Sequence, residues 1–317
     1  MSTSTSTYRR EHDDLSLVIH NRDCVTGMRE LVEPGSIDVI VTSPPYNLGT
    51  RYEKYDDSGA RSDYVRWMGA WGAAASEALG ERGSLFLNIG GKPSDPWGPF
   101  EVLGELRHHF TLQNVIHWIK SVAIQKEDVG RYPGITSNVS VGHYKPINSP
   151  RYVNDCHEYI FHLTKAGDVE LDRLAIGVEY QDKSNVSRWN GAREDQRCRG
   201  NTWFVPYKTI QSRDKQRPHP ATFPVKIPKM CISLHGLERA RLVVDPFLAA
   251  PVHRALLLAP QPAPAPPPAP ALAAPTEKLL AQQQSFSPSM RSRTEQLGAA
   301  GGAASTSLVE VSTFLDF

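Results

Sequence analysis

The sequence predicts an α/β fold built on a mostly parallel sheet. Short apolar runs of strand length alternate with helical stretches, and several of those runs are apolar on both parities. One of them, Ile37–Thr42, leads through a single amphipathic helix into another, Ser84–Ile89. Strands buried on both faces need helices on each side, and strand, helix, strand at this spacing is a crossover between parallel neighbours.

The elements follow in chain order. Residues 1–14, MSTSTSTYRREHDD, are polar and read as a flexible arm. Strand-length runs lie at Leu15–His20, Ile37–Thr42, Ser84–Ile89, Asn114–Ile119, Glu158–Leu163 and Arg241–Asp245. Between the second and third, Tyr64, Val65, Trp67, Met68, Trp71, Ala75 and Leu79 recur at three and four, the apolar face of a helix. Ser62 is its expected N-cap, with Gly80 and Gly83 breaking it before the next strand. Residues 121–155 and 170–217 are rich in Gly, Pro, Asn, Ser, Arg and Tyr and suit long loops or an inserted lobe. From Ala249 to Pro275 there are nine Pro and ten Ala in 27 residues, a density that sustains neither helix nor central strand. The folded domain is therefore expected over 15–248 and a disordered tail over 249–317, with Leu308–Phe317 able to form one strand.

The 317 residues carry 35 Lys plus Arg against 34 Asp plus Glu, a net charge of +1, so a globally basic nucleic-acid binder is not indicated. No apolar run reaches bilayer length and the start lacks a signal-peptide core. Cys24, Cys156, Cys198 and Cys231 lie far apart, which argues against a local zinc site or a disulfide framework. His108-His109 and His157-Glu158 make poor metal pairs, the latter because neighbours on a strand face opposite ways. The expectation is a cytoplasmic protein with no metal and no membrane association.

The chemistry concentrates where strand Ile37–Thr42 runs into Ser43-Pro44-Pro45-Tyr46-Asn47. In an open α/β sheet the working site lies at the carboxyl ends of strands. Two prolines remove two backbone donors and leave carbonyls expected to point outward as acceptors; Ser43 adds a hydroxyl and Tyr46 a ring. Acceptors beside a ring platform suit a planar base with an exocyclic amine. A bare PPY is more often a turn or a ligand for a partner domain; the preceding buried strand and the string VTSPPYN favour the site. A second concentration is Lys183–Arg217, with nine basic residues against three acids and Trp189, Trp203 and Tyr207 interleaved. It reads either as a solvated face or as a groove for a phosphate backbone with aromatics for stacking.

Taken together, these segments resemble the S-adenosylmethionine-dependent DNA amino-methyltransferases of the permuted β class. Val41-Thr42-Ser43-Pro44-Pro45-Tyr46 is similar to their catalytic motif, in the Ser form usual for N4-cytosine enzymes. His20–Cys24, Gly83–Gly91, Cys156–Lys165 and His219–Gly236 resemble further family segments in the same order. The resemblance covers residues 15–248 and implies a Rossmann-like methyltransferase sheet with an inserted recognition region. It implies S-adenosylmethionine as cofactor, held by Asp23, Thr42, Ser43, His219, Thr222, Phe223, Asp245, Pro246 and Phe247. Ser43, Pro44, Pro45 and Tyr46 would be catalytic, and Arg188, Arg193, Arg197, Arg199, Lys208, Arg213 and Lys215 would contact DNA. The implied partners are double-stranded DNA with one base flipped out and a cognate restriction enzyme. Adenine N6, RNA or protein amides stay open as targets.

The sequence departs from the family after Leu248, where a Gly-rich turn, helix and acid-ended strand are replaced by Ala249-Ala250-Pro251 and the Ala/Pro tract. Codons for Leu-Gly-Ser that lose one G read Leu-Ala-Ala, which points to a shifted reading frame. The chain as written is expected to leave a gap beside its Leu242–Asp245 strand, to be marginally folded and to bind the cofactor poorly, or else to survive as a catalytically dead DNA-binding relict.

Overall fold

The computed structural model describes residues 6–12, 15–50, 57–131, 134–142, 148–183, 195–206, 224–247 and 309–316. All of them belong to one compact unit, Met1–Ala255 with Ser307–Phe317. The strands are β1 (Ser6–His12), β2 (Leu15–Asp23), β3 (Ile37–Thr42), β4 (Leu79–Ile89), β5 (Thr111–Ile119), β6 (Val122–Ile124) and β7 (Val139–Val141). They continue as β8 (His157–Thr164), β9 (Val178–Glu179), β10 (Gln196–Arg197), β11 (Thr202–Phe204), β12 (Leu242–Asp245) and β13 (Val309–Asp316). The helices are α1 (Cys24–Leu31), α2 (Arg61–Ala78), α3 (Gly98–Leu106) and α4 (Lys226–His235).

Nine strands form one sheet in the order β1-β2-β13-β12-β3-β4-β8-β5-β11. The run from β2 to β4 is parallel, β8 inserts antiparallel between β4 and β5, and β1 is an antiparallel edge. The mostly parallel α/β sheet is therefore as the sequence predicts. Period-2 alternation divides its side chains between two cores. Ile40, Leu85, Leu87, Phe161 and Val244 join α1, α2 and α3 on one face. Val39, Val41, Phe86, Ile160 and Val243 join Ile227, Met230, Cys231 and Leu234 of α4 on the other.

Several elements differ from the expectation, each for a local reason. Residues 6–12 of the supposed arm pair along their whole length with β2, because an edge strand needs only one neighbour and tolerates polar side chains. Helix α2 starts one residue before Ser62: Ala60 is the N-cap, its carbonyl taking the amides of Asp63 and Tyr64 at 3.0 and 3.1 Å. Gly80 and Gly83 lie inside β4 rather than between helix and strand. A Cβ on Gly83 would sit 2.9 Å from the Ile37 carbonyl and 2.7 Å from Leu79, so these glycines permit close strand contact rather than stopping the helix.

The inserted region contributes to the sheet itself. β11 pairs parallel with β5 as its last strand, and the Trp118 indole donates to the Val205 carbonyl at 2.8 Å. Trp203, expected as a stacking aromatic, is instead 1% exposed in the core, its indole donating to Gly200 O at 3.0 Å. An apolar ring between basic residues gains more from burial than from solvent contact. Trp189 and Tyr207 lie outside the described residues.

At the other end, the expected gap beside β12 is filled. β13, from the end of the tail, runs parallel to β12 on one side and to β2 on the other, matching Leu242–Asp245 to Glu310–Thr313 and Leu15–His20 to Val309–Phe314. VEVSTFLD is the one β-prone stretch in the low-complexity tail, and an open slot between two parallel strands offers it two ladders of hydrogen bonds. The rest of the tail, from Leu248 to Leu308, lies outside the described residues.

Candidate active site

The carboxyl ends of β2, β13, β12, β3 and β4 come to one edge of the sheet, which is where open α/β folds place ligands. At the end of β3, Thr42 is buried and its hydroxyl donates to Asp245 Oδ1, on the neighbouring β12, at 2.6 Å. The Phe247 amide reaches the same oxygen at 3.1 Å. Burial of that carboxyl raises its pKa to about 6, against which the Thr42 and Phe247 bonds pull downward. Asp23, at the end of β2, caps α1 by accepting from the Thr26 amide at 2.9 Å.

The turn after β3 is held rigidly. Asp57 is 1% exposed and its two oxygens take the backbone amides of Asn47, Leu48 and Thr50 at 2.8, 3.0 and 2.9 Å. Asn47 adopts positive φ (55°), a conformation Asn tolerates. The Pro45 carbonyl, expected to point outward unpaired, accepts the Tyr64 hydroxyl of α2 at 2.7 Å; among the described residues no hydrogen bond reaches the Pro44 carbonyl. One of the two acceptors is thus spent in anchoring the turn.

The Tyr46 hydroxyl does not end in solvent. It lies 2.8 Å from Ser43 Oγ and donates to Glu158 Oε2 of β8 at 3.1 Å. Asn88, 2% exposed near the end of β4, sends its amide nitrogen to Tyr46 Oη at 2.6 Å and to Glu158 Oε2 at 2.7 Å. Its Oδ1 is buried with no partner among the described residues, an acceptor of the kind a ligand N–H satisfies. Lys120, just past β5, pairs with Glu158 Oε1 at 2.8 Å, both side chains largely buried at 18% and 12% exposed. Gly90 makes the cluster possible, since a Cβ there would stand 2.9 Å from Glu158 Cγ and 3.2 Å from the Tyr46 ring. Asn88, Lys120 and Glu158 were not found from the sequence. Three charged or amide residues on or just past three different strands carry no local spacing to find.

Other expected residues are placed differently. Phe247 turns its ring into the core, with centroids 5.6 Å from Trp67 and 5.2 Å from Trp71, so its backbone and not its ring faces Asp245. Pro246 is buried between them in sequence. Arg197 is exposed, while Arg199 spends its Nε on the Ile176 carbonyl at 3.0 Å. His219, Thr222 and Phe223, and Arg188, Arg193, Lys208, Arg213 and Lys215, lie outside the described residues. The donor set present fits the polar ends of S-adenosylmethionine. Among the described residues Asp245 Oδ2 has no partner, and Asp23 ends a strand two places away across β13, roughly 10 Å at ordinary strand spacing, so this edge carries two carboxylates able to accept from a ligand's N–H or O–H groups.

A crossover sheet with a Ser-Pro-Pro-Tyr turn at the carboxyl end of an inner strand, beside an acid-ended neighbour, is the arrangement with which open α/β sheets bind ligands. By its sequence the chain belongs to the N6/N4 DNA methylase family, whose model matches residues 37–250. It is 46% identical over 54 residues to the type II methyltransferase M.MjaVI of Methanocaldococcus jannaschii, covering 17% of this chain and 28% of that one. It is 23% identical over 222 residues to the type II methyltransferase M.HpaI of Haemophilus parainfluenzae, covering 69% of this chain and 60% of the relative. The chain thus spans less than two thirds of the length of either. Among solved structures, the PvuII DNA methyltransferase (cytosine-N4-specific) superposes with a TM-score of 0.47 at 18% identity, covering 73% of this chain and 74% of that one.

Proposed function

We propose that this chain moves a methyl group from S-adenosylmethionine to the exocyclic N4 amine of a cytosine in DNA, in a restriction–modification setting with a cognate restriction enzyme. The observation that carries the reading is the Ser43–Tyr46 turn, fixed at the end of β3 next to Asp245 and closed by Asn88 and Glu158. The bound cofactor supplies an electrophilic methyl on a sulfonium. The chain's own residues handle the amine, a poor nucleophile because its lone pair is delocalised into the ring. Ser43 Oγ and the Pro44 carbonyl accept its hydrogens and favour a tetrahedral nitrogen with its lone pair toward the methyl. The base leaves the stack, at a few kcal/mol, to reach this edge and lies on the Tyr46 ring. Serine at position 43 favours cytosine over adenine, through the resemblance of the motif.

The test is transfer of labelled methyl to DNA, RNA and protein, followed by nucleoside digestion. N4-methylcytosine in DNA is expected. N6-methyladenine would move the target while leaving the site, and label in RNA or protein alone would overturn the DNA assignment. A second reading, a DNA-binding relict without activity, has one observation in its favour: Leu248-Ala249-Ala250 stands where a Gly-rich turn is expected. Calorimetric titration with S-adenosylmethionine separates the two, since a relict gives no heat.

A further inference from the structure

We infer that Glu158 is the terminal acceptor of a proton path that runs from the target amine through Ser43 and Tyr46. The inference rests on the amine-methylation reading and deepens it.

The hydrogen bonds have one consistent direction. Tyr46 Oη donates to Glu158 Oε2 at 3.1 Å, so the Ser43 hydroxyl, 2.8 Å away, donates to Tyr46 Oη. Asn88 Nδ2 stands as a long donor 3.4 Å from Ser43 Oγ, which leaves one lone pair of that oxygen to accept an amine N–H. Asn88 holds both Tyr46 Oη and Glu158 Oε2 through one nitrogen, and Lys120 holds the other carboxylate oxygen. A largely buried ion pair is a poor device for stability, because desolvating both charges offsets their attraction. Its placement at the end of a hydrogen-bonded chain leading to the reacting serine gives it another use.

The balance is as follows. The new N–C bond forms as the S–C bond of the donor breaks, its electron pair staying on sulfur and the positive charge moving to the amine nitrogen. The nitrogen then releases one proton to Ser43 Oγ, the serine proton passes to Tyr46 Oη, and the tyrosine proton passes to Glu158 Oε2. The product is a neutral methylamine, and Glu158, protonated beside Lys120, returns the proton to water between turnovers. Glu158 touches neither base nor donor; it is a positioning residue that acts through Tyr46 and Ser43. The titratable groups around it are Lys120 and Tyr46, with Asp155 and His157 from its own strand approach and His117 behind His157.

The experiment compares wild type, E158Q, Y46F and the double variant in single-turnover methylation of DNA across pH. E158Q and Y46F are each expected to lose at least tenfold in rate, within the range usual for proton-transfer groups, and the double variant to be no slower than the slower single. E158Q is also expected to have a flatter pH–rate profile than wild type. Infrared difference spectra of the protein without DNA or donor give a second readout: E158Q removes a carboxylate band and Y46F shifts it. E158Q within twofold of wild type and with its pH profile, losses that multiply in the double variant, or a band that Y46F leaves unmoved would each overturn the path. If wild type transfers no methyl to any nucleic acid the methylation reading falls and this path with it; a rate unaffected by E158Q removes the path alone.

Discussion

Gly90 sits where a side chain would push directly on Glu158 Cγ and the Tyr46 ring. Gly90→Ala is expected to displace that pair, to cut methylation at least tenfold in a turnover assay, and to change the melting temperature little. A different cluster sets the pH response of stability. Ser84 Oγ is shared by His162 Nε2 and His235 Nδ1, each at 3.0 Å, in the interior between β4, β8 and α4. Burial lowers the pKa of His162 to about 3, and burial together with the Arg239 charge lowers that of His235 to about 4. Both groups are depressed below the unfolded value of about 6.5, so the unfolded chain binds more protons between those limits. Their stabilisation is complete above pH 7 and is lost as pH falls. For His162 the loss at pH 5 is about 2 kcal/mol, from 1.36 kcal/mol per unit. Asp245 works the other way: its pKa is raised to about 6, so its contribution is present at low pH and is lost as pH rises through 6. Denaturant melts at pH 5 and 7 should show net destabilisation at pH 5, reduced in His162→Gln and increased in Asp245→Asn.

At the scale of elements, β13 and β11 are the two strands that close the sheet from distant or loop-like sequence. β13 is flanked by β12 and β2, so a proline in its middle removes a ladder bond and clashes with a neighbour. Val311→Pro is expected to abolish the cooperative thermal melt, and a melt unchanged from wild type would show that the sheet does not depend on this strand. Trp203→Ala on β11 empties a fully buried site and should cost about 3–5 kcal/mol in a denaturant titration. The gene offers a separate check: translation in the neighbouring frame past Leu248 is expected to read a Gly-rich turn, a helix and a strand ending in an acid. A frame-restored chain should then bind S-adenosylmethionine more tightly than this one by calorimetry.

Across the whole molecule, a net charge of +1 leaves DNA affinity to local basic residues. Arg197 is exposed and Arg199 is partly engaged by Ile176. If both meet phosphates, Arg197→Ala lowers the slope of log affinity against log salt by about 1 without touching stability. Arg199→Ala lowers the slope and the melting temperature together. An unchanged slope in a triple Ala variant at 193, 197 and 199 would remove this region from the DNA interface. Among the described residues no helix is long and apolar enough to cross a membrane.

What the sequence determined by itself is what short-range pattern can encode. The two-sided apolar runs announced β3, β4, β5, β8 and β12, because a strand buried on both faces has no polar parity. The Ser43-Pro44-Pro45-Tyr46 segment was legible as a rigid turn at the end of β3 because proline chemistry is local. Only tertiary structure decided what joins the site across strands. Glu158, Asn88 and Lys120 meet Tyr46 because β8 inserts antiparallel between β4 and β5, an ordering that no spacing along the chain records. Tertiary structure also decided that Trp203 is core and that a strand more than sixty residues beyond β12 lies at its side. Hydrogen-bond demand at an open strand edge is met by whatever suitable segment the chain can bring to it, and its distance along the sequence enters only as a slowly growing entropy of closure.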